Sequence, residues 1–352
     1  MPRNVDSVAV AVSGGRDSLL ALALLAEQYG PDRVLAIHGL FIREADPRLL
    51  ADLKRVCRDV GVSLVVADLR ERFERLVIQP FVADYAAGRT PNPCAICNRE
   101  VKFGLLLEEA HTRGVSHIAT GHYARLEHCP QRTALFRGTD PTKDQSYFLS
   151  LVPEESLACA LFPLGERFKA DTLSALEARG LTPPAPQESQ EVCFVPDDDY
   201  ISFIEARRPE LCDTGPIELA DGTRLGVHGG LHRFTPGQRR GIGVAYTEPL
   251  YVLGKDMARN ALIVGPKELT TSRGCTVGEV NLLVPPDEWP DECFAKTRYR
   301  QQAAPARVAF QDGRLDIEFL EPRSLPAAGQ VAAVYDALGR VLAGGIIQEE
   351  TS

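Results

Sequence analysis

Cys94 and Cys97 stand three apart in the string RTPNPCAICNREVKF, between two prolines and a charged run. Such a pair can act as a redox couple, as half of a metal site or as paired nucleophiles, and in each case the thiolate is the reactive form. A thioredoxin-like motif opens the first helix of its own small fold, which is not what surrounds this one. A zinc knuckle wants a second pair, and the chain has no other C-x-x-C. The residues after Cys97 predict a helix whose N-terminus favours the Cys97 thiolate, with Pro91 and Pro93 holding the approach extended.

The other chemical signal is SGGRDS, Ser13 to Ser18, directly after the apolar run Ser7 to Val12. Strand, glycine turn and helix aim backbone N–H groups and a helix N-terminus at one anion, here a pyrophosphate. Gly14 and Gly15 let the backbone approach it, and Ser13 and Ser18 add hydroxyls. Asp17 is placed to hold a metal ion or orient a nucleophile, while Arg16 either meets a phosphate or faces solvent. A Gly-Lys-Ser/Thr ending is absent, so this is not the Walker A way of holding phosphate. The alternative for a bare S-G-G is an ordinary helix N-cap.

These groups need a scaffold. Arg33 to Ile42, Ser63 to Leu69 and Val115 to Arg125 read as further strands, with a helix over LADLKRVCRDVGV, giving a doubly wound α/β domain with a parallel sheet. Ligands of such sheets sit at the strand ends, where Ile42, Gly121 and His122 fall. His122 is as readily a hydrogen-bonded structural residue.

The 352 residues are 44% hydrophobic and 25% charged, with room for two or three domains. No apolar stretch is long enough for a membrane span and no leader pattern opens the chain, so the expected location is the cytoplasm. Nine cysteines are an odd number for a disulfide framework. Cys57, Cys159, Cys212, Cys275 and Cys293 read as packing residues. A net charge of −9 argues against a general basic coat, leaving room for a local basic face.

SGGRDS resembles the PP-loop of the ATP pyrophosphatases. In order along the chain, GRTPNPCAICNREVKF, ATGHYAR, TKDQSYFLS, FPLG, SQEVCFVPDDDYISFI, TPGQRRGIG and YVLGKD resemble the MnmA family of tRNA-specific 2-thiouridylases. The resemblance implies ATP- and Mg²⁺-dependent adenylation of O2 of a tRNA wobble uridine, followed by sulfur attack at C2. It implies Cys193 as persulfide carrier and Cys97 as the partner nucleophile that closes a disulfide with it. The sulfur donor would be a persulfide relay protein, a cysteine desulfurase or inorganic sulfide. Val12 to Ser18, Ile42 and Gly121 would serve ATP, and the protein would act as a monomer. A PP-loop RNA-binding or sulfur-carrier protein that adenylates nothing is the competing reading.

The chain departs from the family pattern at Cys94, where an aspartate is usual, and at Arg16, where a small apolar residue is usual. Cys94, Cys97 and Cys193 together could bind a 4Fe–4S cluster with one iron left open for sulfide, as in some related thiolases, and the C-x-x-C spacing favours that reading over the persulfide one.

By the same resemblance His122, Lys143, Asp144, Gln145, Arg240, Arg298, Tyr299 and Gln330 contact tRNA. The expected organisation is a PP-loop domain over 1–196, a small central domain over 197–266 and a C-terminal β-barrel over 267–352. HRFTPGQRRG forms a mobile basic turn suited to phosphates, and AKTRYRQQAAPARVAF an alternating strand with a basic stripe. Tyr299 between two arginines is suited to bracketing an exposed nucleotide.

Overall fold

The computed structural model describes residues 5–42, 46–185 and 192–348; Ser189, Gln190 and Glu191 of the quoted strings lie outside them. The chain begins with β1 (Val8–Ala11), α1 (Arg16–Tyr29), β2 (Val34–Leu40), α2 (Pro47–Val60) and β3 (Ser63–Asp68). After two helical runs come β4 (His117–Ala119), the hairpin β5 (Ala124–His128) and β6 (Thr133–Arg137), and β7 (Ala160–Leu161). Strands β3, β2, β1, β4 and β7 form a parallel sheet in that order. The order reverses between β1 and β4, and the crevice at a reversal is where such sheets bind ligands.

Local chemistry explains the helices around that crevice. In α1 apolar residues cover nearly every face. Leu22 and Leu25 pack with Val8 and Val10 of the sheet, while Leu19 and Leu20 pack outward with Leu164 and Leu176. It is therefore a helix buried on two sides, and the loop before it is rigidly placed. By contrast α2 is amphipathic, burying Leu53, Val56 and Cys57. The Asp46 carboxylate accepts from the Arg48 N–H at 2.8 Å, Pro47 fits the first turn, and Gly61 ends the helix in the left-handed region.

The second unit is a four-stranded sheet of β8 (Gly215–Leu219), β9 (Arg224–His228), β10 (Tyr251–Asp256) and β11 (Ala261–Gly265). The third is a closed six-stranded barrel of β12 (Thr271–Leu282), β13 (Cys293–Lys296), β14 (Ala304–Gln311), β15 (Arg314–Ser324), β16 (Val331–Tyr335) and β17 (Val341–Ile347). Along β15 the period of two is plain, with Leu315, Ile317 and Phe319 inside and Asp316 and Glu318 outside. Among the described residues no helix is long and apolar enough to cross a membrane.

Three expectations need correction. AKTRYRQQAAPARVAF is not one strand, because residues 297–303 interrupt it between β13 and β14. The basic stripe faces outward only in part: Arg300 and Arg307 are exposed, whereas Lys296 is buried, its ammonium 5.6 Å and 5.2 Å from the Tyr147 and Tyr299 ring centres. Cys212, read as a packing residue, is exposed.

The segment around Thr90 joins all three units. Its N–H donates to Ala328 O at 2.8 Å, its hydroxyl lies 3.2 Å from that of Thr235, and Lys255 Nζ donates to Gly88 O at 2.8 Å.

Candidate active site

The Ser13 to Ser18 loop leaves β1 at the reversal point of the sheet. Gly14 has φ +90°, a backbone state that L side chains rarely adopt, and this turns the chain sharply into α1. Ser18 Oγ donates to Gly15 O at 3.0 Å and accepts from Ser13 N at 3.2 Å, so the loop is tied into a closed ring. Gly15 N also reaches back to Ser13 Oγ at 3.4 Å, and the N-terminus of α1 that follows has no side-chain cap, the kind of helix end that binds an anion.

Asp17 is the most heavily used side chain here. Lys169 Nζ donates to both of its carboxylate oxygens at 2.7 Å, and the Tyr123 hydroxyl donates to Oδ1 at 3.0 Å while lying 2.7 Å from Thr172 Oγ1. Gly121 presses on the same residue from the strand side, since a Cβ there would lie 2.7 Å from the Asp17 carbonyl carbon. Only glycine allows that approach. Tyr123 is fixed in turn by Gln145, whose side-chain oxygen accepts from Tyr123 N at 3.0 Å and whose N–H donates to Tyr123 O at 2.9 Å. Ile42 is exposed beyond the end of β2, and Val12 is buried with its carbonyl 2.7 Å from His38 Nδ1.

The thiols lie beside this loop. Asn92 caps a helical run that begins at Pro93, so Cys94 sits in the first turn and Cys97 in the second. This corrects the expectation that a helix starts after Cys97 and lowers its pKa. From Cys97 to Leu105 the run is π-helical. An α-helix would turn residue 102 about 140° away from residue 97. The wider winding brings Lys102 back over Cys97.

Phe194 anchors the other thiol. Its buried ring meets Phe81 at 5.2 Å and Phe73 at 5.7 Å, leaving neighbouring Cys193 exposed. Protein crowds all three thiols even where solvent reaches them, and desolvation pushes their pKa values up, Cys97 to about 12. The Lys102 ammonium pulls each of them back, and Cys193 adds to the rise at both Cys94 and Cys97. The three therefore share one electrostatic site. All are free thiols, and among the described residues no group of three Cys, His, Asp or Glu is gathered at metal-binding spacing.

His122 is buried between Phe103 and Phe162, with Nδ1 2.7 Å from Thr120 Oγ1 and Nε2 3.4 Å from Lys102 Nζ. Burial and the nearby cation hold its pKa well below the usual histidine value, so the ring is neutral. Lys102 then donates to Nε2, and Nδ1–H donates to Thr120.

The remaining residues expected at tRNA fall into two groups. Asp144 is buried and accepts from Gly138 N, Ser146 N and Ser146 Oγ; Arg298 donates to Pro236 O and Leu325 O at 2.8 Å; Gln330 donates to Thr90 O and Pro91 O at 2.9 Å and 3.0 Å. Tyr299 packs at 4.3 Å on Phe148. Arg298, Tyr299 and Gln330 thus reach across between units, while Asp144 braces its own turn. In the expected basic turn, His232 and Arg233 both pair with Glu205, whereas Arg239 and Arg240 are exposed. Lys143 is half-buried on its turn. Lys169, Lys102 and Tyr123 escaped the sequence reading, and only the Lys in NREVKF and the Tyr in ATGHYAR carried a motif signal.

Three family descriptions match in succession: tRNA methyl transferase HUP domain over residues 6–197, tRNA methyl transferase PRC-barrel domain over 201–266, and aminomethyltransferase beta-barrel domain over 272–347. The tRNA-specific 2-thiouridylase MnmA of Nitratidesulfovibrio vulgaris strain DP4 is 52% identical over 342 residues, covering 97% of this chain and 98% of that one. Its counterpart in Oleidesulfovibrio alaskensis is 51% identical with the same coverage, and that of Lawsonia intracellularis 46% identical, covering 98% and 99%. Sheet, reversal-point loop, barrel and relatives thus agree, and the chain belongs to the tRNA-specific 2-thiouridylase MnmA family.

Proposed function

We propose that the protein is an ATP-dependent tRNA 2-thiouridylase, acting as a cytoplasmic monomer on the wobble uridine. The observation that carries this reading is one dipeptide. Gly121 backs onto Asp17 of the phosphate loop, and the next residue, His122, holds Lys102 over the thiols. Adjacent Cα atoms are about 3.8 Å apart, so the nucleotide and sulfur halves meet.

The loop amides and the Ser13 and Ser18 hydroxyls hold the phosphates, and Asp17 is the carboxylate that would hold Mg²⁺, which offsets phosphate charge. The uracil O2 attacks the α-phosphorus of ATP and pyrophosphate leaves, turning a poor leaving group into an AMP ester. The terminal sulfur of a Cys193 persulfide then attacks C2, and AMP departs. Cys97 attacks Cys193 Sγ, forming the Cys97–Cys193 disulfide and releasing the 2-thiouridine. A thiol reductant regenerates the pair, and a persulfide donor reloads Cys193. Low solvation around Cys97 keeps the thiol protonated at rest and limits hydrolysis of the activated base. Arg239 and Arg240 are the exposed arginines that support an RNA phosphate contact.

A 4Fe–4S centre would take all three thiols as ligands. Substitution separates the routes: Cys97→Ala and Cys193→Ala lose thiolation while Cys94→Ala keeps it, and anaerobically purified protein is iron-free. A brown, iron-containing protein inactivated equally by all three substitutions would replace the persulfide route with the cluster.

A further inference from the structure

We infer that Lys169 is a further nucleotide-site residue, its ammonium leaving Asp17 for the pyrophosphate end of bound ATP. This rests on the ATP reading of the Ser13 to Ser18 loop. Asp17 is the second residue of α1, so the ammonium that contacts both its oxygens lies at the helix N-terminus where the loop amides converge. The pair is largely enclosed, with the Lys169 side chain 14% exposed.

The lysine is built to move at its tip and not at its base. Its backbone N–H donates to Asp140 Oδ2 at 3.0 Å, and Asp140, itself buried, is braced by Thr142 N and Oγ1 on its other oxygen. Beyond that anchor runs a flexible four-carbon stem ending in a point charge. Tyr123 flanks the ammonium at 5.7 Å and donates to Asp17, so the carboxylate keeps one partner when the lysine swings away.

Charge favours the exchange. A triphosphate offers several negative oxygens against the single charge of Asp17. The loop has a second cation too, since Arg16 Nε is buried without a hydrogen-bond partner among the described residues. Two cations and one carboxylate leave the mouth of the helix net positive before any metal arrives.

An ordinary structural ion pair would act only by neutralising Asp17, and the difference is measurable. Calorimetric titration of the full-length chain with ATP and with inorganic pyrophosphate would compare wild type, Lys169→Met, Lys169→Arg and the double variant Asp17→Asn/Lys169→Met. Losing a charge-assisted contact to phosphate should weaken both ligands about tenfold or more in Lys169→Met. Lys169→Arg should stay near wild type. The double variant leaves no uncompensated carboxylate, so it keeps the test open if Lys169→Met folds poorly. It should bind as weakly as the single variant. Wild-type affinity in the double variant, or unchanged pyrophosphate binding in Lys169→Met, would make Lys169 a structural counter-ion and overturn the inference. A wild-type protein that binds neither ligand would instead remove the loop reading on which it rests.

Discussion

The two halves of the crevice, one peptide apart, have opposite electrostatics. On the loop side, the Lys169 ammonium and the Tyr123 hydroxyl hold the Asp17 carboxylate at the start of α1, with the Ser13 and Ser18 hydroxyls and Arg16 on the same loop. On the thiol side, desolvation outweighs the single cation Lys102, and Cys97 is pushed up to about 12. One half is preorganised, while the other is held silent. The difference teaches an order of events, with nucleotide chemistry first and sulfur chemistry only after substrate changes the surroundings of the thiols.

The largest effect is expected from damaging the loop alone. Ser13→Ala should reduce thiolation by on the order of 10²-fold or more through lost stabilisation of the phosphates. Cys97 should still react with an alkylating reagent as in wild type. Altered alkylation would mean that the halves are not separately built.

The second prediction concerns the silent half. Alkylation of Cys97, followed by peptide mass spectrometry, should be slow at neutral pH and climb through the alkaline range toward about pH 12. Stability has the opposite sign. A thiol whose folded pKa lies above its unfolded value favours the folded state below the unfolded pKa, and that contribution is lost as pH rises from about 9. Cys97→Ala should therefore flatten the alkaline fall of the melting temperature. An unchanged alkaline limb would contradict the burial of this thiol.

Arginines sharpen the comparison at smaller scale. Arg298 spends its guanidinium on two carbonyls, whereas Arg240 is exposed and pairs with no carboxylate among the described residues. Arg298→Ala should cost about 2 kcal/mol of stability, read by denaturant unfolding, because two charge-assisted bonds are lost. Arg240→Ala should leave stability alone and reduce the salt slope of tRNA binding by about 0.7–0.9. Swapped outcomes would reverse the assignment of staple and phosphate contact.

Much of this was legible in the sequence, and what was not has physical reasons. The apolar run into SGGRDS gave strand, turn and helix because each step is local, and a C-terminal barrel was expected from about residue 267, where β12 to β17 form it. Lys169 was invisible because it reaches Asp17 across 152 residues, by a fold-level meeting that no spacing encodes. Lys102 was hidden by its winding: helical periodicity assumes 3.6 residues per turn and places it away from Cys97. Arg298 and Lys296 misled for a different cause. A row of basic residues reads as a solvated face, yet here Arg300 and Arg307 are exposed while Lys296 and Arg298 turn inward, where tyrosine rings and carbonyls take up the charge.

The most direct test of the central claim counts products together. Purified protein given ATP, a persulfide donor and undermodified tRNA should release one AMP and one pyrophosphate for each 2-thiouridine formed at the wobble position, with neither released when tRNA is omitted. Thiouridine formed without AMP, or AMP released at the same rate without tRNA, would contradict it.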